Sequence, residues 1–340
     1  MPTCQLLARQ DADYRGWWWV APPRDPWLEA GEGTAISADL ALRAAWRAVG
    51  RPAHSPFDAP SVSDHGAPGG AVLFWPKSHA LGEWWLLWLC AILPEGTPLQ
   101  LVGENQGGIK RVLKVLAALG LGSRKLDSAR RCSLFETRLG RTAIDPDAAW
   151  TTFAAELGEE RIALASHPGV FGHGKLDDGT RLLLETLPDA LPAGERLGDV
   201  LGDVLDMGCG DGILAAWLAR RGARVTAVDV NAFAVEATRR TLAANGLAGE
   251  AVESDVYSAL AGRTFDAIVS NPPFHQERAI DYGPAARLIL DAPAHLKPGG
   301  QLLLVANAFL PYPDRLERAF GGFELLADDR RFRVYRAVKR

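Results

Sequence analysis

The sequence is poor in cysteine and histidine and has no excess of basic residues. Its four cysteines lie far apart among 340 residues without a C-x-x-C pair, and its seven histidines show no ligand spacing. We therefore expect free thiols, no disulfide frame and no metal site. The formal net charge of −4 argues against a protein that coats nucleic acid non-specifically, although a structured RNA can still be recognised through one local patch.

Long hydrophobic runs are also absent. The most apolar stretch, Trp84–Leu93, is too short to span a bilayer. The first residues, MPTCQLLARQD, lack the basic-then-apolar pattern of a signal peptide. These absences argue against a membrane protein and favour a cytoplasmic one.

The two halves of the chain resemble each other, and 340 residues are in any case too many for one ordinary core. The matched segments, first half against second, are 71–78 and 267–275, 93–102 and 296–305, and 131–137 and 331–337. The middle pair aligns without a gap, with five of ten positions identical. Three matches in the same order indicate a duplicated fold. We divide it into domains 1–155 and 156–340.

Apolar runs alternate with helical stretches through the second half. The runs are residues 203–208, 224–230, 250–255, 265–271 and 301–307. This alternation predicts an α/β fold with a parallel sheet and helices on both faces. Two further runs, 323–327 and 332–338, are too close for a crossover helix and should pair as a hairpin. In the first half, we expect a buried strand at 17–20, a helix at 38–50 and a loop at 51–71.

A glycine-rich turn follows the first of these runs, in VLDMGCGDG. Gly208, Gly210 and Gly212 allow backbone conformations that a Cβ would block, and a helix beginning near Ile213 offers free N–H groups at the turn. A dinucleotide site has a similar turn. The spacing D-x-G-x-G-x-G favours S-adenosylmethionine instead, because Asp206 could meet the cationic methionine end of that cofactor.

Two further acids end the next strands. Asp229 lies where a carboxylate can accept both ribose hydroxyls, and Asp255 lies where one suits an adenine amino group; Val230 and Val256 follow them directly. Each acid alone could equally be a solvated strand-end residue. Acids at three successive strand ends together predict a cofactor site, because α/β proteins bind ligands outside those ends.

The motif SNPPFH follows the fourth run. Proline restricts the residue before it to extended backbone, which holds Asn271 and Pro272 in place. The Asn271 side-chain oxygen and the Pro272 carbonyl could then accept both hydrogens of an exocyclic amine, direct its lone pair to a methyl group and stabilise the developing positive charge. Pro273 completes the turn, and Phe274 offers a face for an extruded base. The alternative is a strand end closed by prolines beside a core phenylalanine.

The first half lacks both motifs. Nothing in it resembles DMGCGDG, and its proline turn reads WPK, with Trp75 at the position of Asn271. We therefore expect a degenerate copy that binds substrate, stabilises its partner domain, or both.

Together these motifs resemble the class I methyltransferases that act on exocyclic amines. The segments VANAFLPYP (305–313), RFRVYRAV (331–338) and SHPGVFGHGKLDDGTRLLLETL (166–187) are similar to the 16S ribosomal RNA guanine-N2 methyltransferase family RsmC. The resemblance covers about residues 70–340. It implies two tandem Rossmann-like methyltransferase domains, each with a seven-stranded mixed sheet, of which only the second binds S-adenosylmethionine.

The same resemblance implies N2-methylation of one guanine of 16S rRNA, with the assembled 30S subunit as substrate and S-adenosylhomocysteine as product. It also implies that the 171–178 loop lies over the cofactor, which makes Phe171, Lys175 and Asp178 candidate cofactor-binding residues. Cys209, within the cofactor turn, is interpreted as a small packing residue. A monomer is favoured.

Basic residues cluster in the first half. We hypothesise that Lys110, Arg111, Lys125, Arg130 and Arg131 contact RNA phosphates. The alternative, equally well supported, is that these basic residues lie on solvated helix faces.

Four other functions remain open. The nearest is the related guanine-N2 methyltransferase family of 23S rRNA, followed by adenine-N6 DNA methyltransferases and by the enzyme that methylates a release-factor glutamine, where Tyr is expected in place of Phe274. The fourth is a non-catalytic rRNA-binding assembly factor, which predicts no cofactor binding.

Overall fold

The computed structural model describes residues 1–172, 174–190, 202–272 and 283–340. The chain forms two compact units, Met1–Trp150 and Thr151–Arg340. The domain boundary predicted at 155/156 falls inside the first strand of the second unit, Thr151–Leu157.

The N-terminal unit contains one seven-stranded mixed sheet. Its strands are β1 (Trp18–Val20), β2 (Thr34–Ile36), β3 (Ala53–His54), β4 (Ala71–Phe74), β5 (Pro98–Glu104), β6 (Arg124–Ala129) and β7 (Cys132–Arg138). Its helices are α1 (Pro2–Ala8), α2 (Pro26–Ala30), α3 (Leu40–Ala48), α4 (Val62–His65), α5 (His79–Ile92) and α6 (Val112–Ala118), with 3₁₀ turns at Ile109–Arg111 and Pro146–Ala149. The strand order is β3-β2-β1-β4-β5-β7-β6, and only β7 runs antiparallel to its neighbours.

Local sequence explains these elements, with one exception. Asp39 caps α3 by accepting hydrogen bonds from the N–H groups of Ala41 and Leu42, as the predicted helix requires. The predicted strand over the tryptophan run is β1, and it is buried. The prediction of a loop through 51–71 is wrong at β3 and α4, because Ala53 and His54 pair with β2. A two-residue edge strand is too short to show a hydrophobic period.

The C-terminal unit has a two-stranded antiparallel hairpin followed by a second seven-stranded sheet. The hairpin is β8 (Thr151–Leu157) and β9 (Glu160–Ser166). The sheet strands are β10 (Asp203–Met207), β11 (Arg224–Asp229), β12 (Glu250–Glu253), β13 (Phe265–Ser270), β14 (Leu296–Asn307), β15 (Glu324–Asp328) and β16 (Phe332–Val338). The helices are α7 (Asp178–Ala190), α8 (Ile213–Arg220), α9 (Ala232–Ala244), α10 (Gly283–Asp291) and α11 (Tyr312–Phe320), with a 3₁₀ turn at Ala292–His295.

The duplication predicted from the sequence is confirmed. The second sheet has the order β12-β11-β10-β13-β14-β16-β15, which repeats the first sheet strand for strand. β15 and β16 form the predicted antiparallel hairpin. Strand β4 therefore corresponds to β13, β5 to β14 and β7 to β16, as the three matched segments require.

Helices cover both faces of the second sheet. Along β13, Ala267 and Val269 pack with α7, α8 and α9 on one face, while Ile268 between them packs with α10 and α11 on the other. Successive side chains of a strand point to opposite faces, so a strand covered on both sides must be apolar throughout. Fully burying a valine or isoleucine side chain, such as Val269 or Ile268, contributes about 1.5–3 kcal/mol. The site therefore lies on a rigid sheet.

Neither a membrane span nor a metal cluster is found in the part of the chain that the structure describes. No described helix combines the length and apolarity needed to cross a bilayer. No group of three or more His, Cys, Asp or Glu side chains among the described residues could hold a metal ion.

Candidate active site

The glycine-rich turn after β10 adopts a backbone that only glycine takes without strain. Gly208, Gly210 and Gly212 have φ of +78°, +56° and +84°. A Cβ on Gly212 would lie 2.8 Å from the Cα of Thr238 in α9. A Cβ on Gly208 or Gly210 would meet no atom within 4 Å, so these two glycines border open space. The turn is thus packed against α9 at one end and open at the other.

Hydrogen bonds fix this turn to the neighbouring strand. The N–H groups of Gly208 and Cys209 both donate to the Val228 carbonyl, at 2.8 and 3.0 Å. The Gly210 N–H donates to Oδ2 of Asp229 at 3.2 Å. The glycine-rich turn therefore keeps its shape without any ligand.

Three acids surround the turn, and burial raises the pKa of each. Asp206 is fully buried, its pKa is raised to about 8, and its Oδ2 accepts from the Ala215 N–H at 3.0 Å. Its Oδ1 accepts no hydrogen bond from any described residue. Burial raises the pKa of Asp211 to about 6 and also raises that of Asp229. Carboxyls with raised pKa and an unpaired oxygen suit a cationic ligand, which would stabilise their ionised forms.

The two predicted strand-end acids already have partners. Asp229 accepts from backbone N–H groups through both oxygens, from Gly210 and from Asn231. Asp255 forms a two-point ion pair with Arg287 of α10, at 2.7 and 3.2 Å. Each carboxylate oxygen keeps a second lone pair, so these contacts leave room for a ligand hydroxyl or amine.

The residues after these acids differ in backbone conformation. Val230 is half-buried, whereas Val256 is buried with φ of +54°. This is a strained conformation for a β-branched residue, and such strain concentrates at ligand sites. The Ser254 hydroxyl holds it in place by donating to the Val256 carbonyl at 2.6 Å.

Asn271 is held by two side chains that the sequence does not single out. Its Nδ2 donates to Oδ2 of Asp177 at 2.8 Å and to Oγ1 of Thr180 at 2.7 Å. Its Oδ1 is buried and accepts no hydrogen bond from any described residue. The strand just before it is pinned as well, since the Ser270 hydroxyl donates to the Met207 carbonyl at 2.7 Å. A fixed amide with an unsatisfied buried acceptor indicates a donor on the substrate.

One cleft brings the turn, Asn271 and the preceding loop together. Its lining residues are Phe171, Gly172, Lys175, Leu176, Asp177, Thr180, Gly208, Cys209, Gly210, Asp211, Ile213, Leu214 and Asn271. Two of the three predicted loop residues, Phe171 and Lys175, thus reach the site. The third, Asp178, does not line the cleft and instead pairs with Arg331 at 3.2 Å. The sequence KLDDGT offers two adjacent acids, and only the structure distinguishes Asp177, at the cleft, from Asp178.

The remaining predicted site residues fall in three places. Cys209 is buried with the core side chains, and burial raises the pKa of its thiol well above the usual value, so it stays neutral. Pro272 is buried directly after Asn271. Pro273 and Phe274 lie outside the residues that the structure describes.

The corresponding position of the N-terminal unit is filled. Trp75 directly follows β4, as Asn271 follows β13, and it is 6% exposed. Its ring lies 2.5–2.9 Å from where a Cβ of Gly82 would be. Aromatic packing therefore replaces the polar site in this copy.

The predicted RNA-contacting residues are all exposed but lie at two ends of the first sheet. Arg130 and Arg131 form the β6–β7 turn at the carboxyl end of β5, where the Asn105 N–H donates to the Arg131 carbonyl at 2.8 Å. Lys110 and Arg111 follow β5 at that same end, in the 3₁₀ turn. Lys125 pairs with Phe135 toward the other end of β6.

Comparisons with known proteins agree on both units. Residues 161–336 match the family model "Methyltransferase small domain", and residues 48–153 match "Methyltransferase small domain N-terminal". The chain is 67% identical to "Ribosomal RNA small subunit methyltransferase C" of Chromohalobacter salexigens, over 99% of this chain and 98% of that protein. It is 43% identical to the protein of that name from Pseudomonas aeruginosa, over 99% and 92%.

A solved structure covers both units too. The T. thermophilus 16S rRNA N2 G1207 methyltransferase, in complex with AdoMet and guanosine, superposes with a TM-score of 0.85 at 31% identity. The match covers 99% of this chain and 92% of that one.

Proposed function

The chain belongs to the ribosomal RNA small subunit methyltransferase C family, and we propose that it transfers a methyl group from S-adenosylmethionine to N2 of one guanine of 16S rRNA. The target is the 16S rRNA guanine that corresponds to G1207, the nucleotide named for the T. thermophilus enzyme, within the assembled 30S subunit in the cytoplasm. The protein acts as a monomer and without a metal. The observation that carries the proposal is the fixed Asn271 amide, with its unsatisfied Oδ1, beside a glycine-rich turn lined with acids.

The turn and its acids fit the cofactor. Gly208 and Gly210 border the space that it would occupy, and the cluster of Asp206, Asp211 and Asp229 complements its cationic methionine end and its ribose hydroxyls. Asp255 and the strained Val256 would hold the adenine, and Val230 would border the ribose. Phe171 and Lys175 border the cleft from the loop side. When bound, S-adenosylmethionine supplies an electrophilic methyl group on a sulfonium.

Asn271 and Pro272 then act on the guanine amine. The Asn271 Oδ1 and the Pro272 carbonyl accept its two hydrogens, which turns the nitrogen lone pair toward the methyl group. Asp177 and Thr180 hold the amide so that its oxygen, not its nitrogen, meets the substrate. Orientation of this kind contributes up to about 7–11 kcal/mol in intramolecular models. The N–CH3 bond would form as the sulfonium S–CH3 bond breaks and S-adenosylhomocysteine leaves. The methylated amine would then carry a positive charge that the two acceptors stabilise, and it would lose a proton to solvent. Pro273 and Phe274, which lie outside the described residues, keep the roles that the sequence motif predicts for them.

The N-terminal unit has a different task. Its site position is occupied by Trp75, so we assign it to substrate binding and stabilisation. The carboxyl-end group of Lys110, Arg111, Arg130 and Arg131 contacts RNA phosphates, and so does Lys125 at the other end of the sheet.

Incubation with labelled cofactor tests the proposal. The protein is offered 30S particles, 50S particles, naked rRNA and DNA, and the modified nucleoside is identified by mass spectrometry. Label in N2-methylguanosine of 16S rRNA is the expected result. Label only in 50S particles or only in DNA would overturn it in favour of the 23S or DNA enzymes, and absence of cofactor binding would favour the assembly factor.

A further inference from the structure

Phe309 is the most exposed large hydrophobic residue among those described, with 81% of its surface accessible. It lies in the AFLPYP segment that follows β14, between the buried Leu310 and the half-buried Ala308. Its exposure is therefore not shared by its two neighbours in the chain. An aromatic ring this exposed, between a buried and a half-buried residue, needs a reason.

This loop is held rigidly on both sides. The Ala308 N–H donates to the Arg331 carbonyl at 2.9 Å, and the Ala308 carbonyl accepts from Nη1 of Arg333 at 3.1 Å. The Leu310 N–H donates to the Asn307 carbonyl at 3.0 Å. The fully buried Tyr312 anchors the segment at the start of α11. The backbone of Phe309 is thus fixed in position, so little conformational freedom of the loop would be lost on binding.

The ring lies at the same edge of the sheet as Asn271. Strands β13 and β14 are parallel neighbours, and Ser270 pairs with Leu304, so Asn271 and Phe309 both follow carboxyl ends of adjacent strands. Asn271 and Phe309 are also connected through a chain of hydrogen bonds and neighbouring residues. Arg331, whose carbonyl holds Ala308, pairs with Asp178, and Asp178 follows the Asp177 that holds Asn271.

Cationic groups accompany the ring. Arg330 and Arg331 form the exposed β15–β16 turn, and Arg330 has φ of +75°. The nearby carboxylates are already engaged: Asp328 pairs with Arg333 at 2.9 Å, and Oδ1 of Asp329 accepts from the N–H groups of Arg331 and Phe332. Arg331 pairs with Asp178, and these two side chains are 71% and 65% exposed. Surface ion pairs of this kind are weak and exchange readily for a phosphate.

We propose that Phe309, Arg330 and Arg331, here called the Phe309 rim, bind the rRNA nucleotide next to the target guanine. The inference rests on the proposed function and adds the residues that select the position along the RNA. A guanine that enters the site must leave its stack, which exposes a face of the neighbouring base. Phe309 stacks on that face, and the two arginines hold the adjoining phosphates.

Steady-state kinetics with 30S subunits test the rim. Phe309→Ala is expected to raise KM about tenfold, the size of one base–aromatic stack, while kcat and the Kd of S-adenosylmethionine stay within about twofold. Phe309→Tyr retains stacking and keeps the wild-type KM, whereas Phe309→Leu, apolar but not aromatic, does not. Leu325→Ala, at another exposed apolar residue of the same unit, is the matched control and leaves KM unchanged. Arg330→Gln removes about one phosphate contact, so the slope of the logarithm of the binding constant against the logarithm of the salt concentration falls by about one.

Photo-crosslinking identifies the partner of the ring. With Phe309→p-benzoylphenylalanine, the crosslink is expected at a nucleotide flanking the target. A crosslink only to a ribosomal protein, or a wild-type KM for Phe309→Ala, would overturn the proposed role of the Phe309 rim. If wild-type protein does not methylate 30S subunits at all, the proposed function fails instead, so the two failures are distinguishable.

Discussion

The side-chain nitrogen of Asn271 lies 2.8 Å from Oδ2 of Asp177, a residue 94 positions earlier in the chain. This hydrogen bond, with the one to Thr180, occupies both amide hydrogens and leaves the amide oxygen as the end that is open to a ligand. Thr180 of α7 and Asp177, directly before α7, thus fix the orientation of the amide at the end of β13.

Replacement of Asn271 should separate chemistry from cofactor binding. We expect Asn271→Ala to lower kcat by about 10²–10³-fold, as loss of one preorganised transition-state contact does elsewhere. The Kd of S-adenosylmethionine, measured by calorimetry, should stay within about twofold. Full activity of this variant would show that the amide oxygen has no catalytic part.

Asp177 is expected to act through Asn271. Asp177→Ala frees the amide to rotate, so kcat should fall about tenfold or more with little change in KM, since only orientation is lost. Asp177→Asn keeps an acceptor and should recover part of the activity. Glu185→Ala, at an exposed carboxylate of α7, the helix that begins directly after Asp177, is the control and should behave as wild type. Equal losses from all three would indicate a general effect of charge.

The two glycines Gly212 and Gly210 should respond differently to alanine. Gly212→Ala combines a left-handed φ with a contact of 2.8 Å to backbone of α9, so it should destabilise the unit by more than the roughly 1–2 kcal/mol of the backbone conformation alone. Gly210→Ala carries only the conformational cost but places a methyl group in the open space, so cofactor binding is the property lost. Thermal unfolding and calorimetry, applied to both, distinguish the two effects. Similar unfolding temperatures would contradict the packing argument.

Asp206 should make the ligand-free protein less stable as pH rises. Its pKa is raised from the ordinary 3.8 to about 8, so the folded state holds a proton that the unfolded state loses. Its contribution to stability is complete below about pH 4 and is lost progressively as pH rises through 8. Asp206→Asn removes this dependence.

The measurement is the unfolding temperature of both proteins between pH 5 and pH 8. The variant should gain over wild type toward pH 8 while binding S-adenosylmethionine about tenfold more weakly or worse. A constant difference across the range would show that Asp206 ionises normally.

Trp75 should be structural. We expect Trp75→Ala to cost about 3–5 kcal/mol of stability, as for other buried aromatic residues. Trp75→Asn combined with Asn271→Ala should be no more active than Asn271→Ala alone, since no glycine turn accompanies β4. Activity of the double variant above that of Asn271→Ala would show that the first copy retains a working site.

The sequence identifies strands, motifs and duplication well because each leaves a local or repeated pattern. β16 begins and ends where the pattern predicts, and the paired segments occupy equivalent places in the two sheets. The glycines of the turn are recognisable because only glycine suits their φ.

Partners that come from distant parts of the chain are not predictable in this way. Nothing local distinguishes Asp177 from Asp178, and the difference arises from the direction of each side chain at the start of α7. Asp255 receives Arg287 from 32 residues away, and β3 is too short to show a period.

The structure of the turn around Gly208 has a consequence for resistance to inhibitors. Two of its bonds join backbone to backbone, from Gly208 and Cys209 to Val228, and its glycines lie at positive φ, where any side chain brings strain. An inhibitor shaped to that surface would meet main-chain atoms, which a change of side chain does not replace. Mutations that exclude such a compound by adding a side chain would also strain the turn, so resistance would be difficult to acquire there.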